Sequence, residues 1–484
     1  MMAISETEDR PGKSRTKIVA TVGPACSDPL ALGRLIDAGV DVFRLNMAHG
    51  TLDSHGAAIA TIRALSAERG RPVAVLVDLS GPKIRLGELP GGKIECRQGE
   101  EYRFVRGEAS EQPGELVTSY DKLVDELDID DRVMIADGSV GMRVIAREPN
   151  VAVCRVTQPG LIRSRQGVNL PGVKLSTPAM TPDDREHAIW AARQEVDFVG
   201  LSFVRAPQDI EQLKQLLREH QSSARAIAKI EKPEALVHLE AIIRAAGGVM
   251  IARGDLGVEI DIARVPLVQK EIIAACRRLQ KPVITATQML DSMQVSSRPT
   301  RAEASDVANA ILDGADACML SGETAIGKYP VAAVEMMNRI AVVTESSLLH
   351  QDHVYPESEA AEGLHPVTEA VVHGASIMAH QLDARLLVVA SRSGATALAL
   401  AKQRNIVPAV GVSELRGTLR QMCLYWGITP LPGLGEGGAA ELIEQVVAWG
   451  RQRQLLASGD RLVVVSGTQT RVSGHNLVMV HQIA

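Results

Sequence analysis

Short apolar runs alternate along most of this chain with stretches in which apolar residues return every three or four positions. The runs Lys17–Val22, Val40–Leu45 and Val73–Leu79 are aliphatic and β-branched, and each ends on polar residues. Behind the first, a helix is predicted from a Ser27 or Asp28 cap through Leu30, Leu32, Leu35 and Ile36. Behind the second, Ile59, Ile62 and Leu65 share one helical face. The pattern returns after Pro171 with a helix over Pro182–Gln194. Strand-like runs follow at Phe198–Phe203, Ala226–Ile230, Val249–Ala252, Pro282–Thr287 and Ala317–Leu320, with a helix predicted over Pro233–Ala246. The eight runs end near Thr21, Asn46, Asp78, Ser202, Lys229, Gly254, Thr287 and Ser321. Their ends are spaced 25 to 34 residues apart except for one interval of 124. Eight strand–helix units in succession predict a (β/α)8 TIM barrel; a doubly wound open sheet is the rival reading.

The long interval has a different texture. Short alternating stretches at Lys93–Cys96, Tyr102–Val105, Arg132–Ile135, Met142–Ile145 and Val151–Val156 are punctuated by Gly and Pro. They predict a small β-barrel domain inserted after the third strand. Beyond about Val343 a polar, Pro/Gly-punctuated linker precedes a further α/β unit. Its helices are predicted at Val367–Gln381, Thr396–Arg404 and Glu441–Gln452. Its strands are predicted at Leu386–Ala390, Val407–Gly411, Leu462–Val465 and Leu477–Val480. The expected organisation is a leader over 1–15, barrel over 16–81 and 171–343, inserted lid over 82–170, and C-terminal α/β domain over 344–484.

Composition narrows the functions. Hydrophobic residues make up 45% but aromatics only 2%, so the core is aliphatic and stacking platforms for single-stranded nucleic acid are not expected. A net charge of −6 gives no general attraction to nucleic acid or anionic membrane. The six cysteines are scattered without C-x-x-C spacing, as in reduced, buried thiols. No signal-like or membrane-length apolar run occurs, and the expectation is a cytoplasmic enzyme.

The predicted strand ends carry the chemistry. Glu231 and Asp255, at neighbouring ends, suit Mg2+, a hard cation that takes one or two carboxylates, with Mn2+ as a substitute. Spacing alone fits a pair of solvated turn residues equally well. Lys229 shares a strand face with Glu231 and could hold a phosphoryl group beside the metal, or form a plain ion pair with Glu231. Arg253-Gly254-Asp255 offers backbone N–H groups to an anion. Thr287 and Ser321 bring hydroxyls, and Arg44 brings a guanidinium that could bind phosphate or pair on the surface. In the C-terminal domain, Ser391, Arg392, Ser393, Gly394, Ala395 and Thr396 lie between a strand and a helix, as an anion site or an ordinary cap.

Taken together, the stretches TKIVATVGPA, DVFRLNMAHG, VDLSGPKIR, QGVNLPG, AKIEKPEAL, MIARGDLGVEI, PVITATQML, RPTRAEASDVANA and MLSGETA closely resemble the pyruvate kinase family. The resemblance runs from about Lys17 to the end. It implies a barrel with a β lid and an effector domain, and transfer of a phosphoryl group from phosphoenolpyruvate to ADP. It further implies Lys229 and Arg44 at the phosphoryl group, Glu231 and Asp255 on Mg2+, and Ala252, Arg253, Gly254, Asp255 and Thr287 at the enolpyruvate carboxylate. Asn46, His49, Arg85, Thr21 and Pro24 would line the nucleotide side. Asn46 and Asp78 would be remnants of a monovalent-cation site. Ala48 and Leu79 replace two of that site's ligand positions, and Lys83 stands where K+-requiring members carry glutamate; this resembles the K+-independent branch. Ser391–Thr396, with Arg471, would bind a phosphorylated effector, and the family's usual assembly is a homotetramer. The alternatives are a Mg2+-dependent lyase or aldolase acting on an α-keto acid, which leaves Lys229 and the lid unexplained, and a catalytically silent sugar-phosphate sensor.

Overall fold

The computed structural model describes residues 13–107, 109–110, 112–348, 364–433, 439–466 and 477–484. Most of the expected leader and linker, and Arg471, lie outside the described residues. Eight parallel strands close into a barrel: β1 Lys17–Thr21, β2 Val42–Asn46, β3 Ala74–Asp78, β4 Phe198–Leu201, β5 Arg225–Ile230, β6 Gly248–Ala252, β7 Val283–Ala286 and β8 Ala317–Leu320. Each pairs with its sequence neighbours and β1 pairs with β8, Lys17 opposite Ala317. The open sheet is thereby excluded.

Alternation along the strands sorts side chains to two sides. Val19, Val42, Leu76, Phe198, Ile227, Met250, Ile284 and Met319 fill the barrel interior. Ile18, Phe43, Val75, Val199, Ala228, Ile251 and Cys318 pack outward under the helices. Two or four residues beyond the interior layer, the same inward rows reach Thr21, Arg44, Asp78, Ser202, Lys229 and Ser321. The polar groups thus sit at the carboxyl ends of the strands, above an apolar plug.

The helices differ from expectation in one informative place. The segment expected as Pro233–Ala246 is two helices, Pro233–Val237 and Leu239–Ala245, broken at His238 (φ −108°, ψ 20°). The helix Pro330–Leu348 runs past the boundary expected near residue 343, and its Glu345 accepts hydrogen bonds from the backbone of Arg15 and Thr16. Asp28, rather than Ser27, caps the first helix, accepting from the amide of Ala31.

The insertion is a seven-stranded sheet with a separate two-stranded ribbon, Gly160–Arg163 against Lys93–Cys96. An isolated bridge from Leu86 to Thr118 links its two edges and curls it toward a barrel. One short helix, Leu123–Glu126, interrupts the all-β pattern. The C-terminal domain holds a five-stranded sheet with Leu386–Ala390 at its centre. Its Arg416–Met422 helix and Ile428–Pro432 strand are additional to those expected.

That domain docks on the amino ends of the barrel strands. Asp316, just before β8, is fully buried and takes Lys402 at 2.6 Å and Arg404 at 3.0 Å. Arg420 pairs with Asp197 before β4 at 2.6 Å, and Arg225 at the start of β5 donates to the Ser393 carbonyl at 2.9 Å. The chemistry is at one end of the barrel and the docking at the other.

All six cysteines are buried and free. Burial pushes the thiols of Cys154, Cys276, Cys318 and Cys423 up to about 12 from an ordinary 9.0. Below pH 9 these thiols are neutral in both the folded and unfolded chain; between pH 9 and about 12 only the unfolded chain ionises them, so the fold loses stability as the pH rises through that window. The native protein at pH 8 is expected to react negligibly with a thiol reagent over minutes, and the denatured chain to expose six reactive thiols. Rapid labelling without unfolding would contradict this burial.

Candidate active site

The mouth of the barrel is organised around the ammonium of Lys229, which is buried and which β5 aims inward. Its Nζ lies 3.2 Å from Asp78 Oδ1 and 2.9 Å from Glu231 Oε1, and it donates to Ser202 Oγ at 2.6 Å. Ser202 in turn donates to the Leu79 carbonyl at 2.6 Å, which fixes its hydroxyl toward the lysine. Arg44 donates to Asp78 Oδ2 through Nε at 2.7 Å and to Thr21 Oγ1 through Nη1 at 3.2 Å. The Thr21 hydroxyl donates to the Leu320 carbonyl at 2.9 Å. Thr21 therefore braces Arg44.

Electrostatics agree with this geometry. Burial opposes ionisation of Asp78, but Lys229 and Arg44 more than offset it and hold the carboxyl below its usual range. Burial also opposes the charge on Lys229, and Asp78 and Glu231 together raise its pKa above the ordinary lysine value. Glu231 is different: burial pushes its carboxyl up, Lys229 pulls it down, and Asp255 adds to the rise.

Glu231 and Asp255 fit a divalent cation. Glu231 is held from below, where Oε2 accepts from the amide of Phe203 at 3.0 Å. Its buried Oε1 meets the Lys229 ammonium at 2.9 Å but has no directed hydrogen bond among the described residues. Asp255 stands on the helix Arg253–Glu259, paired with Lys83 at 3.6 Å and partly exposed. Three cations (Arg44, Lys83, Lys229) face three carboxylates (Asp78, Glu231, Asp255). A dication and a dianionic phosphoryl group entering together leave that balance unchanged. No cluster of three or more His, Cys, Asp or Glu able to hold a metal occurs among the described residues, so remaining ligands would come from substrate and water.

The Arg253 guanidinium turns away from the mouth, to the carbonyls of Ala286 and Thr287 and to Asp306 at 2.7 Å. The Gly254 amide, expected to face an anion, donates to Thr287 Oγ1 at 2.8 Å, and that hydroxyl donates to the Ala286 carbonyl. Thr287 holds φ +66°, a strained conformation for a β-branched residue and one that clusters at functional sites. Ala252 ends β6 beside Ala286. Ser321 Oγ is buried without a hydrogen-bond partner among the described residues, while its amide donates to Glu323. Asn46 accepts from the Ala48 amide, and His49 and Pro24 are exposed at the rim. Arg85 donates to the Arg165 carbonyl, within the lid. Asp78, expected as a relic of a monovalent-cation site, already carries two cationic partners.

In the C-terminal domain the Ser391–Thr396 segment leads into an eight-residue helix, Ala395–Lys402. Arg392 is exposed beside Glu414, Gly394 has φ +80°, and Ser393 Oγ accepts from the Ala395 amide at 3.4 Å. Sequence reasoning missed Phe203, whose role comes from its backbone amide and a φ of +56°, and it left Ser202 without a role. Ser202 directly follows β4 in the parity of its inward row, and that parity could have flagged it.

Paired carboxylates and a buried ammonium at the carboxyl ends of barrel strands, under a β lid, define a barrel enzyme for metal-assisted transfer of an anionic group. The family models agree: the pyruvate kinase barrel domain matches residues 13–334, and the pyruvate kinase alpha/beta domain matches residues 369–481. The chain belongs to the pyruvate kinase family and is a phosphotransferase. It is 39% identical to a pyruvate kinase of Geobacillus stearothermophilus over 98% of this chain and 81% of that one. It is 40% identical to one of Mycobacterium tuberculosis over 97% and 98%. A crystal structure of a pyruvate kinase from Cryptosporidium parvum superposes with a TM-score of 0.90 at 32% identity, covering 99% of this chain and 98% of that one.

Replacing Ser202 with Ala removes the hydroxyl that fixes Lys229. A hydrogen bond to a charged group contributes about 1.5–3 kcal/mol, so turnover is expected to fall about ten- to a hundredfold while the fold is kept. Steady-state rates and thermal unfolding check this; unchanged turnover would remove Ser202 from the account.

Proposed function

We propose that this chain transfers the phosphoryl group of phosphoenolpyruvate to ADP, giving pyruvate and ATP. The observation that carries the reading is the buried Lys229 ammonium between Asp78 and Glu231, with Arg44 beside it. Glu231 and Asp255 would hold Mg2+, or Mn2+ in its place. When bound, the cation supplies charge neutralisation at the phosphoryl and enolate oxygens. Lys229 and Arg44 bind the phosphoryl oxygens as the bond to the enolate oxygen breaks and one to the ADP β-phosphate forms. The main task of the protein is positioning and fixed charge. The enolate then takes a proton at its methylene carbon, from water held near Thr287. The lid, with Arg85, closes on the nucleotide side near Asn46, His49, Thr21 and Pro24, and excludes water. A lyase or aldolase would have no use for Lys229 or the lid.

A coupled assay with lactate dehydrogenase is expected to show ADP-dependent pyruvate formation. Lys229→Met is expected to lower it by about a thousandfold or more while Mn2+ still binds. Retained turnover in that variant would refute the role of Lys229.

The monovalent requirement is proposed to be absent. Lys83 places an ammonium 3.6 Å from Asp255, Ala48 offers no hydroxyl, and Asp78 is already paired with Arg44 and Lys229. Activity in buffer free of K+ and Na+ is expected to change less than about twofold on adding K+, and Lys83→Glu to become K+-dependent, since it removes the fixed charge that stands in for the ion. A many-fold rise in the wild-type enzyme would overturn this.

The exposed Arg392 in the Ser391–Thr396 loop, with Arg471, suits a phosphorylated effector. Exposed Ile262, Leu267, Val295 and Ile326 suit burial in a homotetramer. A cytoplasmic location accords with the absence, among the described residues, of any helix long and apolar enough to cross a membrane.

A further inference from the structure

A second buried ion pair lies directly behind the metal-binding carboxylates. Lys232, next to Glu231 in sequence, places Nζ 2.6 Å from Glu259 Oε1; both side chains are at least nine-tenths buried. Glu259 closes the helix Arg253–Glu259 and lies one turn beyond Asp255, so the two share a helix face. The same Glu259 oxygen accepts from Asn169 Nδ2 at 3.2 Å. Asn169 ends the strand Gly167–Asn169, through which the chain leaves the lid and returns to the barrel. Glu259 Oε2 and Asn169 Oδ1 are buried without hydrogen bonds among the described residues.

The other end of that lid strand packs against Lys83, on the chain entering the lid. A Cβ on Gly167 would lie 3.0 Å from Lys83 Cε, and Lys83 pairs with Asp255. The helix Arg253–Glu259 is therefore met by the lid at two points, by Lys83 on the chain entering it, through Asp255, and by Asn169 on the chain leaving it, through Glu259. On the barrel side, Lys232 stands 5.5 Å over the ring of Phe203, whose amide holds Glu231. The ring packs at Gly81, where the chain enters the lid: a Cβ on Gly81 would meet Phe203 Cδ2 at 2.5 Å. One ion pair thus touches the support of both carboxylates and both crossings into the lid.

We propose that Lys232, Glu259 and Asn169 are positioning residues that register the lid against the two metal-binding carboxylates. Neither end of the pair touches the reacting atoms. Lys232–Glu259 sets the spacing between the β5 end and the helix bearing Asp255, and Asn169 transmits the position of the lid to that spacing. The proposal rests on the metal-assisted reading of Glu231 and Asp255.

The test compares the wild-type chain with Lys232→Met, Lys232→Arg and Asn169→Ala. Mn2+ binding to the substrate-free protein is read by electron paramagnetic resonance. Lid motion is read by hydrogen exchange at Ile84–Arg85 and Arg132–Ile135. Lys232→Met is expected to weaken Mn2+ binding about tenfold, as outer-shell substitutions do, and to speed lid exchange. Lys232→Arg restores both. Asn169→Ala leaves Mn2+ affinity nearly unchanged and speeds lid exchange alone. If Lys232→Met lowers only the unfolding temperature, with Mn2+ binding and lid exchange as in the wild type, the proposal falls. If Lys232→Met does not fold, Asn169→Ala decides, and wild-type lid exchange in that variant overturns the proposal. A wild-type chain that binds Mn2+ but forms no pyruvate from phosphoenolpyruvate and ADP would instead defeat the reaction assigned above.

Discussion

An ammonium taken out of water must be compensated, and the mouth of this barrel is built to compensate one. Desolvating a lysine costs several kcal/mol, and removing one partner of such a buried pair typically costs about 3–5 kcal/mol. Lys229 is held against that cost by Asp78, Ser202 and Glu231, which lie at or one residue past the carboxyl ends of β3, β4 and β5. Those groups meet only if β3, β4 and β5 lie side by side in parallel and in register, as closure of the barrel ensures. The arrangement is also reactive in a specific sense. One compensating carboxylate, Glu231, is also a group that a divalent cation would take in the proposed reaction, and a cation there would leave the ammonium available to a phosphoryl group.

The same strand joins the two ends of the molecule. β5 begins at Arg225, whose guanidinium reaches the Ser393 carbonyl and Gln421 in the C-terminal domain, and ends at Lys229–Ile230. By alternation Arg225, Ile227 and Lys229 share the inward row. A movement of the Ser391–Thr396 loop would therefore be felt at the foot of the strand that carries the central lysine. The lid is tied in from the other side, where Lys83 and Asn169 reach the helix of Asp255 and Glu259.

Much of this was legible in the sequence because strands buried on both faces leave long aliphatic runs, and the polar residue after each run marks the mouth. Eight such runs, one inserted block and Lys229, Glu231 and Asp255 followed from that pattern. The break at His238 did not, because both short helices bury the same apolar face and periodicity reads through the interruption. The partner of the Arg253 guanidinium did not follow either, because Asp306 lies 53 residues on in the chain. Phe203 and the Lys232–Glu259 pair left no local trace: the first acts through a backbone amide and a left-handed conformation, the second through residues on separate elements.

The most direct test of the central claim is a crystal structure of the chain with Mn2+ and a non-transferable phosphoenolpyruvate analogue. Mn2+ is expected on Glu231 and Asp255, and Lys229 Nζ moved from its 2.9 Å contact with Glu231 onto an oxygen of the analogue, with Arg44 on the same group. A cation bound elsewhere, or a Lys229 still locked between Asp78 and Glu231 beside a bound analogue, would contradict it.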